Sequence, residues 1–548
     1  MWQNNSRIQW NTTDFSRTVV SSYLFEFRTS RDITNITNWV YELEILDPQI
    51  PWSYLNDGTI NKKVEAYRAY IFQILYYLDV DDVLEEAEIE DIFLFDLELA
   101  KIVFQKNENF DMNRHYTRMS VGQLEIKYPE LHLKEMLNED DDKIVQMSID
   151  ADVLLKLEEW KLKKSKRALA NWVQWRCTVN KINELDSYVT HSTKMFLYTL
   201  YNGEIKKDKW RSCVQKVRET HPFLLDVLYY GQYLSDSLVK DTTEMFTNVR
   251  DQFIGFLEKA EWMGNGTKEQ ALEKIRKIKH NLGAHEMYML DRKSNTSYED
   301  FRFAYGLLAK NRANITKITM HLSESTNDSD ESRPTDNFLL QDATYFELYL
   351  SMVFGATVYT DPYYNIDHPK ALNYGALGYV LGHELAHSLD DHNRHVDING
   401  NLNPWWDSQS NETFVERIKC LVERYKESGI EELGLDLNSF ASRNDDIADH
   451  VGVTAAYFAY DKWRKENEPE KKLPGLDYSP RQLFWIAHAN SHCSKYQRKL
   501  FRDLYLLAEH SPPKLRVNVP LSNMPEFSRD FKCSSYSKMN NVKKCSVW

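Results

Sequence analysis

The chain has 548 residues, and no stretch of it approaches the roughly 18 consecutive apolar residues that a membrane-spanning helix requires. Residues 1–16 also lack the apolar run of a signal peptide. Basic residues are fewer than acidic ones: the chain has 68 Lys and Arg and 82 Asp and Glu, which gives a formal net charge of −14. This balance disfavours a surface that binds nucleic acid or anionic membranes.

Length and composition indicate a large globular protein. Hydrophobic residues make up 42% of the chain, enough for a substantial core, and the chain is too long for one ordinary domain. Apolar residues recur with helical spacing, notably in segments 66–81 and 245–280, so the fold should be mostly helical. Residues 352–359 predict a strand instead. That strand is either part of the core or a partner for an extended peptide.

One boundary is visible at residues 323–336, which contain no apolar residue and predict a solvated linker. The linker divides a helical N-terminal region, residues 1–322, from a C-terminal region, residues 337–548. Every candidate zinc ligand and catalytic residue described below lies in the C-terminal region.

The most informative stretch is His383-Glu384-Leu385-Ala386-His387. Each helical residue turns about 100°, so residues i and i+4 lie nearly one above the other. His383 and His387 can therefore direct both imidazoles at one metal ion, with Glu384 beside them to act on a water molecule. This H-E-x-x-H arrangement is typical of zinc peptidases, although two surface histidines can share the spacing by chance.

The surrounding residues favour the metal-binding interpretation. Leucines line the far side of this helix and small apolar residues lie near the histidines, a pattern that predicts a buried helix. Buried imidazoles need polar partners, and a metal ion serves both at once. Asp390 and Asp391, one turn further on, can accept the remaining ring N–H of a ligand histidine.

A catalytic zinc site with two histidines needs a third protein ligand. The best candidate is Asp445, which shares a helical face with Asp449. Gly452 and Ala456 continue that face, and small residues there allow close approach to the histidine helix. Asp446 ranks second. The alternative is that the acidic residues only form the first turn of a helix and stabilise its dipole.

Further motifs accompany these residues: LNYG at 372–375, DD at 390–391, IAD at 447–449, LPGL at 473–476 and KKCSVW at 543–548. Together with H-E-x-x-H they resemble the neprilysin family of zinc metallopeptidases, also called M13, over nearly the whole chain. The resemblance implies a mainly α, two-lobed fold. A thermolysin-like zinc catalytic lobe would carry a small sheet, and a larger helical lobe would enclose the site.

The resemblance also implies residue roles. One zinc ion per chain would be bound by His383, His387 and Asp445. Glu384 would pass a proton from water to the leaving amine, and Asp390 would support a ligand histidine. The remaining roles are stabilisation of the tetrahedral intermediate by His510 and Asp449, and binding of the substrate by Asp342, Ala343 and Arg516.

Two departures from the family pattern bear on activity. The family's third zinc ligand is a glutamate, and Asp445 is shorter by roughly 1.5 Å of reach. The family's substrate-binding Asn-Ala pair is Asp342-Ala343 here, and an ionised carboxylate cannot donate a hydrogen bond. The expected function is zinc-dependent endopeptidase action on small extracellular peptides. The alternative is a catalytically weakened or inactive peptide-binding pseudo-enzyme.

Family members usually have an N-terminal membrane anchor or are secreted, so the resemblance implies an extracellular location. The anchor and the first cysteine-bearing segment are expected to be missing from this chain. By resemblance, Cys420 pairs with Cys545, whereas Cys213, Cys493 and Cys533 lack their family partners. Asn-x-Ser/Thr sequons suit a secretory-pathway glycoprotein and occur at Asn4, Asn11, Asn35, Asn265, Asn295, Asn314, Asn327 and Asn411.

Overall fold

The computed structural model describes residues 18–50, 61–80, 84–103, 116–147, 149, 151–180, 182, 187–200, 209–220, 225, 229, 232–282, 343–429, 442–496 and 510–548. The protein is mostly helical with small sheets, as the apolar periodicity predicts. It divides into two compact units, residues 1–206 with 496–507 and residues 207–495 with 508–548. The predicted linker at 323–336 lies outside the described residues, so that domain boundary stays a prediction.

The first unit combines a four-stranded sheet with helices. The strand order is β1-β2-β4-β3, in which β2 and β4 are parallel and the other neighbours antiparallel. The strands are β1 Phe25–Asp32, β2 Asn35–Ile45, β3 Thr117–Ser120 and β4 Ile144–Met147. The helices are α1 Thr18–Ser21, α2 Lys62–Tyr77, α3 Glu86–Val103, α4 Val121–Lys127, α5 Leu133–Leu137, α6 Ala151–Leu162, α7 Lys166–Asn180 and α8 Ser187–Leu200.

A buried polar group organises the core of this unit. The Asp96 carboxylate is fully buried and accepts hydrogen bonds from Tyr67 Oη and, at 2.9 Å, from Trp172 Nε1. Trp175 Nε1 donates in turn to Tyr67 Oη at 3.2 Å. Each donor has an acceptor, so these large aromatic rings fill the core without leaving a buried N–H or O–H unpaired.

The second unit contains a three-stranded sheet of order β5-β7-β6, with β5 parallel and β6 antiparallel to β7. The strands are β5 Lys279–His280, β6 Ala343–Phe346 and β7 Ser351–Phe354. The helices are α9 Lys209–Thr220, α10 Asp236–Lys259, α11 Asn265–Lys277, α12 Lys370–Asn373, α13 Tyr379–His387, α14 Ser408–Ser428, α15 Arg443–Glu466, α16 Pro480–Ser491, α17 Pro513–Asn523 and α18 Pro525–Asp530.

The structure differs from two local predictions. The strand predicted at 352–359 ends at Phe354, and residues 356–359 form a 3-10 helix. This strand, β7, is paired on both sides, so it has no free edge for a peptide. The helical pattern of 245–280 is divided between α10 and α11, because the chain leaves the helix at Ala260 and the next helix begins after Gly264, a poor helix former.

None of the helices in the described ranges is long and apolar enough to cross a membrane.

Candidate metal centre

The H-E-x-x-H residues lie on α13, which directly follows α12 and a π-helical turn over Tyr374–Gly378. Every residue of α13 from Tyr379 to Ala386 is buried, in agreement with its two apolar faces. Glu384 is only 5% exposed. The two histidines and the glutamate are therefore held on one rigid, buried helix.

Helix α15 contacts α13 through glycine. A Cβ atom added to Gly452 would lie 2.6 Å from the backbone nitrogen of His383, and one added to Gly382 would lie 2.6 Å from the carbonyl oxygen of Gly452. Both distances are too short for a side chain, so the two backbones touch at the turn that carries His383. Asp445 lies two turns before Gly452 on α15 and is brought to the histidines by this contact.

Three side-chain atoms converge at the site. His383 Nε2 lies 3.1 Å from His387 Nε2 and 3.4 Å from Asp445 Oδ1, and His387 Nε2 lies 3.9 Å from the same oxygen. In a tetrahedral zinc site with bonds of about 2.0–2.1 Å, ligand atoms are about 3.3–3.4 Å apart. Among the described residues, these three form the one group of His, Cys, Asp and Glu that could hold a metal ion.

The other nitrogen of each histidine faces a carboxylate. Asp390 Oδ2 lies 2.8 Å from His387 Nδ1, and Asp449 Oδ1 lies 2.9 Å from His383 Nδ1. A carboxylate at Nδ1 favours the tautomer with the proton there and leaves the Nε2 lone pair for a metal. Two such lone pairs at 3.1 Å repel each other unless positive charge lies between them. This donor set of two imidazoles and one carboxylate fits zinc.

The electrostatics of the site favour positive charge. Burial lowers the pKa of His383, but Asp445 and Asp449 outweigh burial and raise this pKa to about 10. Burial raises the pKa of Asp445, but His383, His387 and His510 outweigh burial and lower this pKa to about 2. Asp445 is therefore a carboxylate at neutral pH, as a metal ligand must be.

Asp449 and Arg516 form a buried ion pair beside the histidines. Arg516 donates from Nε to Asp449 Oδ2 at 2.9 Å and from Nη2 to Oδ1 at 2.7 Å. Tyr379 Oη donates to Asp449 and accepts from Arg516 Nη2 at 3.1 Å. The role in stabilising the reaction intermediate that the family resemblance implies for Asp449 stays a prediction. In the structure, Asp449 holds the guanidinium of Arg516 and lies beside His383 Nδ1.

A further predicted residue, His510, lies close to the centre. His510 Nε2 is 3.3 Å from Asp445 Oδ1, and the His510 side chain is half exposed. Ala343 begins β6, which packs against α13 and forms an outer strand of the described sheet. Asp342 lies outside the described residues, so its predicted contact with substrate stays a prediction.

Asp446, the second candidate ligand, has different partners. Its Oδ2 accepts a hydrogen bond from Ser442 Oγ at 3.1 Å. Burial raises the pKa of Asp446 well above its usual range, and the nearby Asp449 and Asp445 add to this rise. The group of converging ligand atoms contains Asp445 and not Asp446.

The structure joins Cys420 and Cys545 in a disulfide, the pair implied by the family resemblance, with Cα atoms 5.8 Å apart. The other four cysteines are free thiols: Cys177 and Cys533 are partly buried, and Cys213 and Cys493 are exposed. The disulfide connects the C-terminal tail to α14 in the unit that carries the metal centre.

Fold and site together define the H-E-x-x-H class of metallopeptidases, with two histidines and a glutamate on one helix and a carboxylate from a second. The comparisons with known proteins are more specific. A sequence model of Peptidase family M13 matches residues 342–547, and a second M13 model matches residues 2–285. The chain therefore belongs to peptidase family M13.

Relatives and solved structures agree with this assignment. The chain is 28% identical to Neprilysin-2 of Drosophila melanogaster over the whole of this chain and 73% of that protein. It is 28% identical to an endothelin-converting enzyme homolog of Locusta migratoria, over 90% of this chain and 70% of that protein.

The fold is similar to that of the zinc metalloprotease Zmp1 of Mycobacterium tuberculosis, with a TM-score of 0.81 at 18% identity over 96% of this chain and 81% of that chain. PepO of Lactobacillus rhamnosis gives a TM-score of 0.79 at 19% identity over 95% and 81% of the two chains.

Sequence reasoning missed two residues at this site. Tyr379 lies one turn before His383, and helical spacing could have indicated that it faces the same side as the histidine. Gly382 immediately precedes His383, but its contact with Gly452 joins helices that are distant in the sequence. The small-residue face with Gly452 and Ala456 predicts a close approach of the two helices, and this is confirmed, but nothing in the sequence marks Gly382 as the residue on the other side of the contact.

Proposed function

We propose that the protein is a zinc-dependent endopeptidase that hydrolyses small extracellular peptides and binds one zinc ion per chain. The observation that carries this proposal is the convergence of His383 Nε2, His387 Nε2 and Asp445 Oδ1, with 3.1 to 3.9 Å between them. Membership of family M13 supports the peptidase activity.

His383, His387 and Asp445 would hold the zinc ion. When bound, zinc supplies a Lewis acid that polarises the scissile carbonyl and activates water. Glu384, on the same helix as both histidines, would take a proton from the attacking water and deliver it to the leaving amine. His510, next to Asp445 and half exposed, would donate a hydrogen bond to the carbonyl oxygen as it gains negative charge.

Substrate binding would involve β6 and Arg516. The outer strand β6 beside α13 would bind an extended peptide by main-chain hydrogen bonds, with Ala343 at its start and Asp342 immediately before it in the sequence. Arg516 directs Nε and Nη2 at Asp449, which fixes the plane of the guanidinium and leaves Nη1 for a carbonyl or carboxylate of the substrate. The preference for small peptides and the extracellular location are supported by the family likeness.

The decisive experiment compares wild type with Glu384→Gln. Glutamine keeps the shape of the side chain and removes the base, so bound zinc should be retained while peptide turnover falls by about 10²-fold or more. Zinc content is measured by elemental analysis, and turnover is measured with a fluorogenic peptide library with and without a chelator. Equal turnover by the two proteins would refute the role of Glu384.

The second candidate function is a peptide-binding pseudo-enzyme, which the aspartates at positions 342 and 445 favour. It would bind peptides from the same library without cleaving them. Absence of zinc-dependent cleavage, combined with zinc binding and peptide binding by the wild-type protein, would support this candidate over the peptidase.

A further inference from the structure

Helix α11 contains a lysine that is fully buried. Lys274 is 0% exposed and lies in the last turn of the helix. Its Nζ donates to the carbonyl oxygen of Asn393 at 2.8 Å and to that of Val396 at 2.6 Å. Both acceptors belong to the segment that follows the H-E-x-x-H helix, so Lys274 connects an element far away in the sequence to the surroundings of the metal centre.

That segment encloses the carboxylate of Asp390. Asp390 Oδ1 accepts hydrogen bonds from the backbone nitrogens of His392 at 2.9 Å and Asn393 at 2.7 Å. Its Oδ2 accepts from Asn393 Nδ2 at 3.2 Å and lies 2.8 Å from His387 Nδ1. Asn393 thus donates twice to the carboxylate that faces His387, and the carbonyl of the same residue is one of the two acceptors of Lys274.

Lys274 is also a buried cation near buried anions. Desolvation lowers the pKa of Lys274 to about 7, against the attraction of Asp390, Asp397 and Glu347. Asp390 and Asp397 are 1% and 6% exposed. A deprotonated amine still has two N–H donors, which suffice for the two carbonyl groups, so the segment stays anchored in either protonation state.

We propose that Lys274 is a positioning residue for the metal centre: it fixes residues 390–396 and thereby orients His387 through Asp390. This inference rests on the proposed function, because it assumes that His387 is a zinc ligand. Groups that orient a ligand histidine typically contribute 10–100-fold to metal affinity. Lys274 acts on Asp390 through Asn393. Its effect on zinc affinity should therefore lie near the lower end of that range.

The first test is Lys274→Met, which keeps the length of the side chain and removes the charge and both donors. Zinc affinity is measured by competition with a chromogenic chelator, after circular dichroism has confirmed folding. We expect about tenfold weaker zinc binding. Lys277→Met is the matched control, because Lys277 lies on the same helix with its side chain 44% exposed. The Lys277→Met variant should bind zinc with the affinity of wild type.

The second test asks whether Lys274 acts through Asp390. The double variant Lys274→Met/Asp390→Asn should bind zinc no more than about twofold more weakly than Asp390→Asn alone, because both changes interrupt one chain of contacts. A role confined to fold stability predicts independent effects, which would multiply in the double variant and overturn the inference. If Lys274→Met does not fold, Lys274→Leu, which also removes the charge and all N–H donors, replaces it in both tests.

The outcomes separate this inference from the proposed function. A wild-type protein without zinc affinity refutes the proposed function. A wild-type protein that binds zinc, together with a folded Lys274→Met variant of unchanged affinity, refutes only the role of Lys274.

Discussion

At the scale of single residues, Asp445 decides whether the site can hold zinc. Its Oδ1 lies 3.4 Å from His383 Nε2, close to the spacing of ligands in a tetrahedral zinc site. This distance fits Asp445 as a zinc ligand despite its shorter side chain. We expect Asp445→Ala to lose zinc affinity by at least about 10²-fold. Isothermal titration of the metal-free proteins checks this.

The companion variant is Asp445→Glu. A glutamate would extend roughly 1.5 Å further into a space already matched to aspartate. Zinc affinity should therefore stay equal or fall. A large gain in affinity and turnover would show that the natural site is weakened and would favour the pseudo-enzyme. Asp446→Asn is the control, since Asp446 contacts Ser442, and it should keep its zinc.

Lys274 should make stability depend on pH. Its pKa is lowered by burial from 10.5 to about 7. Between these values the unfolded chain binds more protons at this lysine than the folded protein does. Stability therefore rises with pH, by at most about 1.4 kcal/mol per pH unit.

Urea unfolding of wild type and Lys274→Met at several pH values from about 7 to 9 isolates this effect, because all other groups are common to both proteins. The stability of wild type relative to the variant should increase with pH. A difference that stays constant would contradict the lowered pKa.

Residues of the site differ in how far they could be predicted from the sequence. His383, Glu384 and His387 follow from spacing within one helical turn, and Asp445 follows from a second local pattern together with the family resemblance. Tyr379 contacts Asp449, 70 positions away, and Lys274 contacts Asn393, 119 positions away. These contacts depend on tertiary packing, which local periodicity does not encode.

At the scale of elements, the contact between α13 and α15 sets the geometry of the site. Gly382 and Gly452 lie so close that neither position has room for a Cβ atom. We expect Gly452→Ala to push the helices apart, to destabilise the protein by about 1–3 kcal/mol and to weaken zinc binding, because Asp445 moves with α15. Thermal unfolding and zinc titration measure the two effects.

Gly255→Ala is the matched control for this prediction. Gly255 also lies within a helix, α10, and a Cβ atom there would meet no other atom within 4 Å. Alanine should therefore stabilise this helix by roughly 0.5–1 kcal/mol and leave zinc affinity unchanged. Equal responses at the two glycines would show that the close contact between α13 and α15 is unimportant for the site.

The elements also show where prediction from the sequence ends. The apolar periodicity correctly indicates a helical protein, because a buried face repeats along each helix. The pattern of apolar residues does not distinguish a strand from a 3-10 helix in the short apolar segment 352–359. Nor does apolar periodicity show that β7 lies in the middle of its sheet, since strand order is decided by pairing partners elsewhere in the chain.

At the scale of the whole molecule, the C-terminal tail is held to the second unit by packing as well as by a covalent bond. The ring of Trp548 stacks on Trp262 at 5.7 Å and lies 5.6 Å from the ring of Phe414. Asn523 Nδ2 donates to the carbonyl oxygen of Cys545, and Cys545 N donates to Asn523 Oδ1, each at 2.6 Å. The last residues are thus a structural part of this unit.

The Cys420–Cys545 disulfide spans 125 residues and encloses α15 with Asp445, together with α16, α17 and α18. Closing a loop of this length restricts the unfolded chain, and the chain-entropy model gives roughly 4–5 kcal/mol for it. We expect Cys420→Ser/Cys545→Ser to lower the urea midpoint clearly, while the contacts of Trp548 and Asn523 retain part of the stability.

Cys533→Ser is the control for this variant, because Cys533 is a partly buried free thiol that closes no loop. The urea midpoint of Cys533→Ser should change little from that of wild type.

Zinc affinity provides a second measurement. The proposed zinc ligands lie on α13 and α15, which pack directly against each other, so the folded double variant should bind zinc as wild type does. An unchanged midpoint would mean that aromatic packing and Asn523 alone hold the tail. Loss of zinc from a folded variant would mean that the covalent closure helps to place Asp445.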